Sequence, residues 1–388
     1  MTRLLPKTAA AAAILIAAIA ILELAAGRLL PPPDNFYIWP PNLERTFTPD
    51  QEILPGTSPR AWFRTNAFGL RSYNPAPNDD YRILVLGGWA AECLYLTQRQ
   101  TWPRLLLEVL NRFRPGFQTW VGNGGRSGQT SRDHIFHLKY LPLGALDIDA
   151  AVILIGANDI QLRLQRGESY NPDYLKLPGA ELAQIDRAFL YVPYPFIAPP
   201  LPLYKKTGLW RLARRVWRRF FGERPQDPRG EVIALWRRNR RESDLRRDRL
   251  PDLEIGLREY LTNLKTIADL ASKKGIRLIF VTQPALWKEQ MTDREKALLW
   301  GGGVVYYKNR PGQPYYTPGA LARGLASYNR ILVAACEHWG IECIDLAADF
   351  PRTTDYFYDD CHFTLRGSEL VAGRIFEYLS QTPPWRAP

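Results

Sequence analysis

Five short apolar runs, each followed by a stretch of helical periodicity, constrain this chain more than any other feature. They are Arg82–Leu86 (RILVL), Gln118–Val121, Ala150–Ile155 (AAVILI), Arg277–Thr282 (RLIFVT) and Ile341–Leu346 (IECIDL). A short, continuously apolar run suits a strand covered on both faces, and such strands belong to parallel sheets. Helical segments follow at about Trp102–Arg112, from Thr130, and at Ile255–Lys274, Ala320–Trp339 and Thr364–Leu379. The alternation predicts an α/β fold: a three-layer sandwich with a central five-stranded parallel sheet. Right-handed crossovers then bring the strand C-termini to one edge, where ligands bind.

Two segments fall outside this pattern. Thr8–Ala26 is apolar apart from Glu23, and it is long enough for a membrane span. Arg3 and Lys7 precede it, so the positive-inside bias expects a cytoplasmic N-terminus and a domain on the periplasmic or outer face of the cell membrane. A cleaved signal peptide is the rival reading, because Leu24-Ala25-Ala26-Gly27 is rich in small residues. The second segment is basic. Lys205 to Arg249 hold 16 of the 51 Lys/Arg and 6 of the 39 Asp/Glu, so 10 of the net +12 charges sit there. The expected organisation is an anchor over residues 1–30, a linker and lead-in over 31–80, and a domain over 81–388 with an insertion at about 161–250.

Polar blocks close the strands. Gly87-Gly88-Trp89 follows the first, and Asn123 to Gly128 (NGGRSG) follows the second. Gly156-Ala157-Asn158-Asp159 follows the third, and Asp359-Asp360-Cys361-His362 precedes the last helix. In this order, on this alternation, the chain resembles the SGNH/GDSL hydrolases over about Asn66 to Ser380. The resemblance implies a flavodoxin-like SGNH fold and ester chemistry. It assigns His362 as base and Asp359 as the group that orients it. It also assigns the Gly128 N–H and the Asn158 amide as oxyanion donors.

The same resemblance expects a serine nucleophile at position 89, which is Trp89. Indole cannot form an acyl-enzyme. Ser127, Cys93 and Cys361 are the neighbouring hydroxyl and thiol candidates to replace it. Trp89 reads as lost catalysis with binding retained, as recent decay, or as a variant of an active parent. The expected function is therefore a membrane-anchored protein acting on O-acyl esters of a glycan or lipid, impaired or inactive as written. The alternative is a non-catalytic glycan- or lipid-binding protein that uses the same cleft, with a Trp face as a platform.

Leu209–Phe221 (LWRLARRVWRRFF) interleaves Arg with Trp and Phe at helical spacing. It reads as an interfacial membrane helix or as a packed helix with a solvated basic face. A nucleic-acid partner is not expected for an exported domain. The cysteines Cys93, Cys336, Cys343 and Cys361 lack paired metal spacing, and no metal or cofactor is expected. A Cys93–Cys361 disulfide is the expected pairing, with Cys336–Cys343 as its rival.

Overall fold

The computed structural model describes residues 5–30, 34–193, 204, 207–220, 227–304 and 311–385. The chain forms two compact units, Met1–Phe36 with Tyr191–Gln226, and Tyr37–Leu190 with Asp227–Pro388.

The larger unit holds the sheet. Its strands are β1 (Tyr81–Gly87), β2 (Thr119–Asn123), β3 (Ala150–Ile155), β4 (Arg277–Thr282) and β5 (Glu342–Ile344). They lie in the order β2-β1-β3-β4-β5, and every pairing is parallel. Each of the apolar runs lies on one of these strands because a strand covered on both faces has no solvent side to satisfy; all six residues of β3 are buried. Around the sheet are α2 (Trp89–Glu92), α3 (Trp102–Phe113), α4 (Ser131–Tyr140) and α5 (Ala157–Arg166). Helix α3 packs on the C-terminal helix Leu365–Ser380, while α4 packs on Glu254–Lys273, which packs on Pro318–Trp339.

This strand order reverses direction between β1 and β3. A reversal opens a crevice at the carboxyl ends of the two strands, the place where such sheets bind ligands. Trp89 lies two residues after β1 and Asn158 three after β3, so both stand at the crevice.

Residues 37–80, expected as linker and lead-in, are part of the larger unit. Glu44–Phe47 pairs antiparallel with Ala61–Arg64, and Ile38, Trp39, Phe63 and Leu70 are buried. The expected insertion is also divided. Residues 191–226 lie in the smaller unit, and the flanks 161–190 and 227–250 lie in the larger. Part of the basic charge in the second flank is internal. Arg237 is buried and donates to Leu298 O (2.8 Å) and Tyr358 O (2.7 Å), and Arg240 donates to Tyr316 O (3.0 Å). A guanidinium with five donors can bridge several backbone carbonyls that would otherwise be buried unpaired.

The smaller unit contains α1 (Leu5–Leu29) and α6 (Gly208–Phe220). One window of α1, Ala10–Leu29, has a mean hydropathy of 2.3 and suits either a membrane span or a signal sequence. Glu23 has a local partner: its carboxylate accepts the Gly208 and Leu209 N–H groups at 2.5 and 2.9 Å. It thus caps the N-terminus of α6, where helix N–H groups lack internal acceptors. Arg211 Nε donates to Leu30 O at 2.7 Å. Helix α6 covers the expected basic segment as far as Phe220, and Phe221 lies outside the described residues.

Candidate active site

The Asp359–His362 segment of the crevice is densely hydrogen-bonded. The His362 ring meets Asp359 through Nδ1, at 2.7 Å from Oδ1 and 2.6 Å from Oδ2. The backbone N–H groups of Cys361 (3.1 Å) and His362 (2.9 Å) donate to Asp359 Oδ1. Trp300 Nε1 donates to Oδ2 at 2.9 Å. A three-residue gap lets the carboxylate fold back on its own chain just before the closing helix. Burial pushes the Asp359 carboxyl up, but the His362 charge and the donors around it win and hold it below its ordinary value.

The loop is braced from beneath by Asp360, which accepts from Trp287 Nε1 (2.7 Å) and from the backbone N–H groups of Trp300 (2.8 Å) and Gly301 (3.0 Å). The structure thereby adds Trp300 and Trp287 to the site. The run Trp300-Gly301-Gly302-Gly303 was the available signal, since glycines beside an aromatic mark close backbone approach.

Trp89 lies against this pair. Its ring stacks on His362 (centroids 5.0 Å, 18°) and on Trp300 (4.9 Å, 20°). The His362 and Trp300 centroids are 6.4 Å apart. Opposite faces of one ring would put them at least about 7 Å apart, two contact distances of about 3.5 Å each. Both therefore sit under the same face, and Trp89 covers His362 and Trp300 together. Trp89 also lines two recesses. One is a tight slot of about 30 Å³ with Asn158, Leu164, Trp300 and Cys361. The other is a wider recess of about 370 Å³ with Ser127, Gly128, Asn158 and Arg187.

The two oxyanion candidates stand in that wider recess. Gly128 has φ +75°, a conformation L side chains rarely adopt. Asn158 donates one amide hydrogen to Gln129 O at 2.7 Å. Gly88 is what allows the ends of β1 and β3 to meet: a Cβ there would stand 1.7 Å from Asn158 Nδ2.

The replacement nucleophiles fare differently. All four cysteines are free thiols, so the expected Cys93–Cys361 disulfide is not formed. Cys93 does not begin the helix after β1; it ends α2 in a left-handed conformation (φ 51°), and its thiol donates to Ala90 O at 3.4 Å. Burial pushes that thiol up to about 12, which makes it a poor nucleophile. Burial and the carboxylates of Asp359 and Asp360 push Cys361 up as well. The rival cysteines are the interacting pair, since Cys336 and burial push the Cys343 thiol up. Ser127 is exposed, and its hydroxyl donates to the buried Glu92.

The model of the GDSL-like Lipase/Acylhydrolase family matches residues 85–370, well over half of the chain, and spans every one of these blocks. The chain belongs to this GDSL family. A GDSL esterase/lipase from Arabidopsis thaliana, CPRD49, is 25% identical over 134 residues, which are 33% of this chain and 46% of that protein. The chain thus matches about half the length of that GDSL relative. Among solved structures, the acetylxylan esterase Axe2 of Geobacillus stearothermophilus is 13% identical, with TM-score 0.40 over 76% of this chain and 93% of its own. The alpha/beta hydrolase LAE5, from a Lake Arreo metagenome, is 13% identical with TM-score 0.40 over 79% and 97%.

Proposed function

We propose that this GDSL-family protein is held at a membrane by α1 and receives O-acyl esters of a glycan or lipid in the crevice between β1 and β3. Its serine–histidine route is closed by Trp89. One observation carries the reading. Asp359 and His362 are hydrogen-bonded as a base and its orienting carboxylate, while the ring at the nucleophile's place lies flat on the imidazole. Nothing ionisable stands there to attack a carbonyl carbon, and the indole covers the base that would accept the proton.

Trp89→Ser removes both obstacles. It should produce measurable hydrolysis of p-nitrophenyl acetate, and adding His362→Ala should abolish that gain. A folded but inert Trp89→Ser protein would count against a preorganised crevice. Non-catalytic glycan or lipid holding is the second reading, favoured because Trp89 is only half-buried and lines both recesses. An acylated oligosaccharide bound by the wild type and released by Trp89→Ala would support it.

Residues 8–26, the apolar character of α1 and the basic residues before it support a single-pass anchor with the domain outside. The basic, aromatic-rich Leu209–Phe221 segment supports an additional contact with the membrane surface. The full chain should stay with membranes through high-salt extraction. Release of a shortened, soluble protein would instead establish a signal peptide.

A further inference from the structure

The wider recess is lined by a hydroxyl and two N–H donors, and the hydroxyl reaches a buried carboxyl, Glu92, that the His362 route does not use. Ser127 is exposed at its rim, beside Trp89, Gly128, Asn158 and Arg187. Its hydroxyl donates to Glu92 Oε2. Glu92 is 1% exposed, and its other oxygen, Oε1, has no hydrogen-bond partner among the described residues. A buried carboxyl that is not fully paired is costly to keep, and such groups cluster at functional sites. Burial raises the Glu92 carboxyl above its ordinary value against the pull of the Ser127 donors and of the His362 and Arg71 charges. A carboxylate made more basic is better matched to taking a proton from a hydroxyl near neutral pH.

Two donors for the charge that would follow line the same recess as Ser127. The N–H of the residue after a nucleophilic serine is a recurrent half of an oxyanion hole. Here that residue is Gly128, whose N–H enters no backbone hydrogen bond among the described residues. Asn158 spends one amide hydrogen on Gln129 O and, as a primary amide, carries a second.

We propose that Ser127 and Glu92 form a second nucleophile–base pair in this crevice, able to accept the acyl group of an O-acyl ester without a nucleophile at position 89. The proposal rests on the reading that such esters enter the crevice. As Ser127 Oγ bonds to the carbonyl carbon, its proton passes to Glu92 Oε2. The carbon–oxygen bond to the alcohol breaks, and the alcohol leaves with that proton. Water then attacks acyl-Ser127, Glu92 takes the water's proton and returns it to Oγ, and the carboxylic acid departs. The balance is one ester and one water in, one alcohol and one acid out.

The opposing account makes Glu92 a tie between α2 and the loop that carries Ser127. The two differ in reactivity. The full-length protein is treated with a fluorophosphonate, which bonds phosphorus to a nucleophilic Oγ and expels fluoride. Tandem mass spectrometry then locates the adduct on the peptide from Ser127 to Arg132, with the fully buried Ser131 as internal control. The adduct should lie on Ser127 and vanish in Ser127→Ala. Its rate of formation should fall by roughly 10²-fold in Glu92→Gln, the scale of general-base catalysis. Gln accepts the same hydrogen bond, so a mere tie predicts undiminished labelling. Undiminished labelling, or no Ser127 adduct on folded wild type, overturns the proposal, and the wild-type measurement needs no variant to fold. If Ser127 stays silent while Trp89→Ser gains esterase activity, this inference alone falls. If both stay silent, the ester reading of the crevice falls with it.

Discussion

Three of the carboxyl groups buried around one crevice have opposite characters. Asp359, on the closing loop, accepts from two backbone N–H groups, an indole and an imidazole, and is held below its ordinary value. Glu92 and Asp159, beneath the first and third blocks, are raised, Asp159 to about 7, by burial. Each of these two has one oxygen without a partner among the described residues. Burial is common to all three, so it does not decide the direction. For these three the donors and the charges beside them do; Asp360, with three donors of its own, is still raised, by burial and by the neighbouring Asp359 charge.

The difference also separates what a motif preserves from what it performs. Asp359 organises its own loop through backbone bonds, so an intact Asp-x-x-His segment serves the fold even where its histidine lies under Trp89.

The sharpest way to break this comparison is to remove the saturated carboxyl. Asp359→Ala leaves several buried donors without an acceptor and should cost roughly 3–5 kcal/mol in denaturant unfolding. A loss under 1 kcal/mol would mean that the loop is held by other contacts. Because the Asp359 carboxyl is depressed, its contribution is present above its ordinary pKa and is lost as pH falls through the folded value. Wild type should therefore lose more stability on acidification than Asp359→Asn does.

The smaller test has the opposite sign. Asp159 is raised from 3.8 to about 7, so the folded protein favours its neutral form. Its contribution is greatest below its ordinary pKa and is lost as pH rises through about 7. Asp159→Asn can still accept the Ser131 N–H and hydroxyl, now at 3.0 and 2.6 Å. It should gain about 1–3 kcal/mol over wild type at pH 8, after the amide's own desolvation is deducted. Near pH 4 the gain should disappear. Thermal unfolding across that range measures it, and a gain that does not change with pH would remove Asp159 from the comparison.

The sequence revealed the sheet clearly and the crevice only in part. Ala150–Ile155 is apolar at every position, and a strand covered on both faces leaves that signature directly. The blocks around Trp89, Asn158 and His362 were legible because each follows or precedes a regular element. Three things were not legible. Trp300 reaches Asp359 across 59 residues, and spacing carries no sign of such a contact. Arg237 and Arg240 entered only the charge count of the basic segment, although their guanidiniums end on internal carbonyls. The cysteine pairing failed because proximity of segments does not fix the direction of a thiol: Cys93 turns back to Ala90 in its left-handed cap.

The Glu23 cap has a consequence in time. Its acceptors are ready when α1 emerges, but its donors at Gly208 are made 185 residues later. At synthesis rates of about 5–20 residues per second, that interval is roughly 10–40 s. For that period the carboxylate lacks its Gly208 and Leu209 donors. Helix α1 is therefore complete well before Glu23 meets its donors, and the carboxylate is capped only when α6 arrives.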